Sequence, residues 1–148
     1  MNTPLYAALD LHSRYSVLGS MDHEGRSESR KRFATEAKIL RAEVEALKKK
    51  RRPLYLTMEA GALTRWASGI VRPLVERLII CEPRHNRLIN SNPTKSDEAD
   101  VEGMCLLLRL GKLKEAWMGQ DRTREIYRAS GPEACATPGS IPSAKFWR

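Results

Sequence analysis

Pro4-Leu5-Tyr6-Ala7-Ala8-Leu9-Asp10 is a short, nearly continuous apolar run that ends in an acid. That pattern belongs to a strand buried on both faces, with a carboxylate at its C-terminal end. It returns in Leu54-Tyr55-Leu56-Thr57-Met58, which stops at Glu59 before the turn Ala60-Gly61-Ala62. If the two strands are parallel neighbours, their C-terminal ends coincide, and open α/β sheets place their ligands at that edge. Asp10 and Glu59 would then face one crevice.

The segments around these strands supply the rest of a sheet. A second apolar run, Tyr15–Met21, leads into Asp22-His23-Glu24-Gly25, which has the composition of a hairpin loop. Residues 26–33 are dense in charge and suit an edge strand, where Glu28, Arg30, Lys31 and Arg32 discourage edge-to-edge pairing. Phe33, Ala37, Leu40, Val44 and Leu47 step by four, three, four and three, an amphipathic helix that Thr35 is placed to cap. It closes on Lys48-Lys49-Lys50-Arg51-Arg52, which fits both compensation of the helix dipole and contact with phosphates. After Pro53 and the second strand, Leu63, Trp66, Ala67 and Ile70 mark another helix, broken near Pro73. Arg77–Cys81 reads as a last short strand. The predicted fold class is α/β: a mixed sheet flanked by helices.

An irregular basic segment carrying Arg84 and Arg87 then leads to Lys95-Ser96-Asp97-Glu98-Ala99-Asp100. At 100° per residue, Val101, Met104, Cys105 and Leu108 form a buried stripe, and Asp97 and Asp100 continue its arc toward the N-terminus. Glu98, Glu102 and Arg109 fall on the solvated side. Acids in a first helical turn also complement the macrodipole, and Thr94 with Asp97 fits a capping box, so capping and chemistry both remain readings of this turn. Packed across the strand ends, the helix would bring Asp97 and Asp100 to Asp10 and Glu59. Four carboxylates in one place repel, and two Mg²⁺ ions would offset that repulsion and act on a phosphodiester.

Composition points the same way. The 148 residues suffice for one domain with a core, plus a tail, and a net charge of +8 favours a polyanionic partner, nucleic acid first. The three cysteines, Cys81, Cys105 and Cys135, have no zinc-ligand spacing and read as reduced cytosolic thiols. With no signal-peptide pattern and no apolar run of membrane-spanning length, a cytoplasmic protein without a membrane partner is expected. Trp66, Trp117 and Tyr55 read as core or interface aromatics, and His12 is placed beside the crevice. Residues 119–130 look like a charged helix beginning a connector, and residues 131–148, rich in proline, glycine and small residues, like an irregular tail left by truncation or a frameshift.

The run Ala8-Leu9-Asp10-Leu11-His12, the turn Met58-Glu59-Ala60 followed by Trp66, and Lys95-Ser96-Asp97-Glu98-Ala99-Asp100 with Leu106-Leu107-Leu108-Arg109-Leu110-Gly111 behind it resemble the DEDD transposases of insertion sequences, the Piv-like recombinases. The likeness covers roughly residues 5–130. It implies a ribonuclease H-like (RuvC-like) domain over residues 1–118, with Asp10, Glu59, Asp97 and Asp100 as the metal-binding catalytic tetrad. It also implies DNA as substrate, Mg²⁺ as cofactor, a guide RNA in some members and a homo-oligomer at full length. The family's second domain, with its strand-exchange serine, is not in this chain, so a truncated transposase is expected.

Two further readings keep the fold. One is a remnant that binds nucleic acid through Arg30, Lys31, Arg32, Lys48, Lys49, Lys50, Arg51, Arg52, Arg84, Arg87 and Lys95. The other is a phosphate-handling ATPase of the actin and sugar-kinase kind, disfavoured because the glycines those enzymes place beside their first aspartate are missing around Asp10.

Overall fold

The computed structural model describes residues 3–48, 52–83 and 96–116. Lys49, Lys50, Arg51, Arg84, Arg87, Lys95, Trp117, the boundary after residue 118, the expected helix over 119–130 and the tail over 131–148 lie outside the described residues.

Five strands form one sheet: β1 (Leu5–Leu11), β2 (Tyr15–Met21), β3 (Ser27–Ala34), β4 (Leu54–Glu59) and β5 (Arg77–Cys81), in the order β3-β2-β1-β4-β5. β1 pairs antiparallel with β2 and β2 with β3, whereas β1–β4 and β4–β5 are parallel. The sheet is therefore mixed, and the fold is α/β. The β2–β3 turn is shaped by Asp22, whose carboxylate accepts the Glu24 and Arg26 amides at 2.9 Å each. The Arg26 amide bond first, then that of Glu24, holds this carboxyl below its ordinary range. Gly25 completes the turn at φ 91°, a backbone state that glycine reaches without strain. β3 carries its charges at the sheet edge, as its composition requires.

Side-chain alternation divides the core in two. Leu5, Ala7, Leu9, Leu54, Leu56 and Met58 point to one face, where α1 (Ala37–Lys48) and α2 (Thr64–Val71) cover them with Leu40, Val44, Leu47, Ala67 and Val71. Ala8, Val17, Met21 and Cys81 point to the other, covered by α3 (Asp97–Arg109) through Val101, Met104 and Cys105. The expected stripe of α3 is thus the buried one. Helix α3 approaches β2 closely because Gly19 presents no side chain there; a Cβ at that position would overlap Val101 Cγ1. Cys105, deep in this layer, donates to the Gly19 carbonyl at 3.5 Å, and burial pushes its thiol up to about 12. It is a packing residue.

Two local expectations shift. Thr35 does not cap α1, which starts at Ala37; its hydroxyl donates to the His12 carbonyl at 2.7 Å and shares a hydrogen bond with Ser16, tying the end of β3 to the β1–β2 turn. In α2 the buried face is Thr64, Ala67 and Val71, with Ile70 at its margin, and Trp66 stands 37% exposed rather than in the core. Pro73 does end this helix, in a 3₁₀ turn at Arg72–Leu74. Beyond α3, residues 114–116 run along β5: the Glu82 amide donates to the Lys114 carbonyl and the Ala116 amide to the Ile80 carbonyl. Among the described residues, no helix is long and apolar enough to cross a membrane.

Candidate metal centre

The parallel register of β1 and β4 aligns Leu9 with Met58, so Asp10 and Glu59, each one residue further on, lie side by side at the C-terminal edge. Alternation puts both on the α3 face, since Asp10 follows Ala8 at a spacing of two and Glu59 follows Thr57 likewise. Helix α3 begins at that edge. Its N-cap is Ser96, in extended conformation, whose hydroxyl accepts the Ala99 amide at 3.2 Å. The capping role expected of Thr94 thus belongs to Ser96, because Asp97 is itself the first helical residue. Asp97 and Asp100 sit in the first turn, where the helix dipole favours negative charge.

The structure brings Asp10 and Asp97 together around His12. His12 Nε2 lies 2.8 Å from Asp10 Oδ2 and 3.7 Å from Asp97 Oδ1. One donor atom from each of the three residues falls within 4.8 Å of the others. The second oxygen of Asp97 accepts the Tyr15 hydroxyl at 2.9 Å, which leaves Oδ1 turned toward His12. The Tyr15 ring packs against the His12 ring, centroids 4.5 Å apart, and carries the Arg32 guanidinium 3.6 Å from its own centroid. The β1–β2 turn fixes this arrangement through the His12 amide, which donates to the Tyr15 carbonyl at 3.0 Å.

The electrostatics are those of crowded negative charge. Burial raises the Asp10 carboxyl above its ordinary range; His12 opposes the shift, while the charges of Asp97 and Asp100 add to it. The bond to Asp97 likewise holds the Tyr15 phenol above its usual value. Asp100 therefore acts on Asp10 electrostatically, and Glu59 lies beside it in register. Both are half-buried, but neither enters the tight group formed by Asp10, His12 and Asp97.

A divalent cation fits this donor set. Adjacent ligands of an octahedral ion at about 2.1 Å would stand about 3 Å apart; His12 and Asp10 are near that spacing at 2.8 Å, and Asp97, at 3.7 Å from His12, would have to draw in to join them. Carboxylate oxygens and one imidazole nitrogen admit Mn²⁺ as well as Mg²⁺. His12, which the sequence placed only beside the crevice, lies within the group. Tyr15 was missed as a site residue; its signal was a tyrosine opening a strand five residues after Asp10, a side chain with an apolar body and a polar tip.

Among the described residues, the expected cations separate into two groups. Arg30, Lys31 and Arg32 on β3 line a groove of about 320 Å³ whose other wall is Ser96, Asp97 and Glu98. Lys48, exposed at the end of α1, and Arg52, which pairs with Glu28, are not part of it.

No protein-family model and no curated protein matches the sequence. Among solved structures, the chain is similar to the ethanolamine utilization protein EutJ from Carboxydothermus hydrogenoformans, with 19% identity over 60% of this chain and 41% of that one, at a TM-score of 0.40. It is also similar to the large terminase nuclease from thermophilic phage G20c, with 13% identity over 75% of this chain and 57% of that one, at a TM-score of 0.42. The chain therefore spans less than two thirds of either protein.

Proposed function

We propose that this chain is a ribonuclease H-like domain that cleaves nucleic-acid phosphodiester bonds with a divalent metal ion. The observation that carries the reading is the group Asp10, His12 and Asp97, built where the C-terminal ends of parallel β1 and β4 meet the N-terminus of α3. Asp10 and Asp97 bind the cation, His12 is the third donor, and Tyr15 orients the Asp97 carboxylate by holding its second oxygen. Glu59, beside Asp10 in register, and Asp100, in the first turn of α3, would supply the remaining carboxylates of the acidic tetrad. When bound, the ion neutralises these carboxylates and supplies a Lewis acid for the attack of water on phosphorus. The excess of basic residues, net charge +8, supports a polyanionic substrate.

At a finer level, the motifs around Asp10, Glu59 and Asp97 support the catalytic domain of a DEDD transposase, acting on DNA with Mg²⁺. The experiment is a nicking assay on a labelled single-stranded oligonucleotide with Mg²⁺ or Mn²⁺. Metal-dependent cleavage should fall about 100-fold in Asp10→Asn and in Asp97→Asn. Cleavage that ignores chelator, or that survives both substitutions, would refute the reading.

A further inference from the structure

The metal centre opens directly onto the groove between β3 and the start of α3, and the two walls of this groove differ in charge. One wall is cationic, Arg30, Lys31 and Arg32; the other is Ser96 with the acids Asp97 and Glu98. Asp97 belongs to both the groove and the candidate metal centre, so whatever lies in the groove touches the metal edge.

The cations of the β3 wall are not equivalent. β-Sheet register puts Arg32 opposite Val17 and Arg30 opposite Gly19, hence on the α3 face, whereas Lys31 turns to the other face and pairs with Glu43 of α1 at 2.8 Å. Arg30 reaches Glu98 at 3.1 Å and Glu102 at 3.5 Å, but these contacts are solvent-exposed, and such pairs are worth little and are readily exchanged. Arg32 pairs with no carboxylate among the described residues. Its guanidinium instead lies on the ring of Tyr15, the residue whose hydroxyl holds Asp97. A guanidinium stacked on an aromatic face is pre-oriented and keeps its N–H donors free for a planar or tetrahedral oxyanion. A cation fixed in this way, without an anionic partner among the described residues, one ring away from a metal-capable carboxylate, is the arrangement that a phosphate next to the metal-bound one would require.

We propose that this groove is a phosphate-backbone subsite for a single nucleic-acid strand, in which Arg32, supported by Tyr15, and Arg30 hold the phosphates that flank the scissile position. The inference deepens the phosphodiesterase reading and rests on it for the direction of the strand toward Asp97. Its binding component, however, needs no metal. Arg30 exchanges Glu98 and Glu102 for phosphate as the strand enters, and the β3 edge thereby acquires its role as a substrate wall.

The test is fluorescence-anisotropy binding of a fluorescein-labelled oligothymidylate, measured on the full chain in EDTA across a salt series, with Arg32→Ala, Arg32→Lys, Arg30→Ala and Arg41→Ala. Arg41 lies on α1, paired with Glu45, and controls for the loss of one positive charge. Arg32→Ala and Arg30→Ala should each weaken binding several-fold and flatten the salt dependence by about 0.7 in log–log slope, the value for one single-strand phosphate contact. Arg32→Lys should recover only part of the affinity, because it keeps the charge and loses the stack. Arg41→Ala should stay within twofold. Equal effects of Arg32→Ala and Arg41→Ala, or no measurable binding by the wild type, would overturn the subsite. The same titration with Mn²⁺ on wild type and on Asp10→Asn separates the two claims: Arg32-dependent binding that Mn²⁺ leaves unchanged in wild type, or alters equally in both, leaves the subsite standing and removes the metal centre.

Discussion

Gly19 is the point at which the core and the candidate site are mechanically joined, and Gly19→Ala is the perturbation that exposes the joint. A Cβ at Gly19 would overlap Val101 Cγ1, and Val101 is a buried β-branched residue on a helix, with essentially one side-chain rotamer available. It cannot turn aside, so α3 must move away from β2. Overpacking of this kind costs about 1–3 kcal/mol, offset by about 0.5–1 kcal/mol from the lower chain entropy of alanine in a strand. The net loss of about 0.5–2 kcal/mol corresponds to a fall in Tm of about 2–8 °C for a unit of this size. Because Asp97 and Asp100 ride on the first turn of α3, the same displacement should weaken Mn²⁺ binding. Gly69→Ala is the matched control: Gly69 sits exposed on α2 with nothing within 4 Å of where a Cβ would stand, so helix propensity should raise stability by about 0.5–1 kcal/mol with metal affinity unchanged. Thermal melts by circular dichroism and Mn²⁺ titration of both variants are the assays. If the two alanine variants behave alike, or if Gly19→Ala is at least as stable as wild type, the close packing of α3 on β2 is refuted.

Two further outcomes follow from buried polar groups. The raised Asp10 carboxyl means that the folded state binds its proton more tightly than the unfolded state does, so its contribution favours folding in acid and is lost as pH rises through the folded value. In chelator, Asp10→Asn should therefore melt above wild type at neutral pH, the gap closing as pH falls toward the ordinary aspartate value; melts at several pH values check this, and a gap that widens in acid contradicts it. Thr57 Oγ1 is buried on the sheet without a hydrogen-bond partner among the described residues, so Thr57→Val should raise stability by about 1 kcal/mol in a denaturant titration.

Much of the fold was legible because burial leaves a direct trace in the residue pattern. The two apolar runs ending in Asp10 and Glu59 marked buried strands, whose parallel pairing the structure supplies, and the charges of β3 announced an edge. Helix periodicity fixed the buried face of α3. The helix starts were harder. Thr35 looks like a cap in sequence, but a hydroxyl serves whichever backbone group the tertiary fold presents, here the His12 carbonyl. Trp66 had the right spacing for a core residue, yet the packing of α2 on α1 and the sheet selected Thr64, Ala67 and Val71. In the site, the meeting of Asp10 and Asp97 followed from the topology. The participation of Tyr15 did not, because it depends on a turn bringing a strand's first side chain back over a carboxylate 82 residues away in sequence.

The central claim, that Asp10, His12 and Asp97 together form a divalent-cation site, is tested most directly by titrating the chain with Mn²⁺ and reading free ion by electron paramagnetic resonance. Wild type should bind Mn²⁺, with Asp10→Asn and Asp97→Asn each weakening it about tenfold or more and Arg41→Ala leaving it unchanged. Equal binding by wild type and both aspartate variants, or no binding by wild type at millimolar Mn²⁺, would contradict the claim.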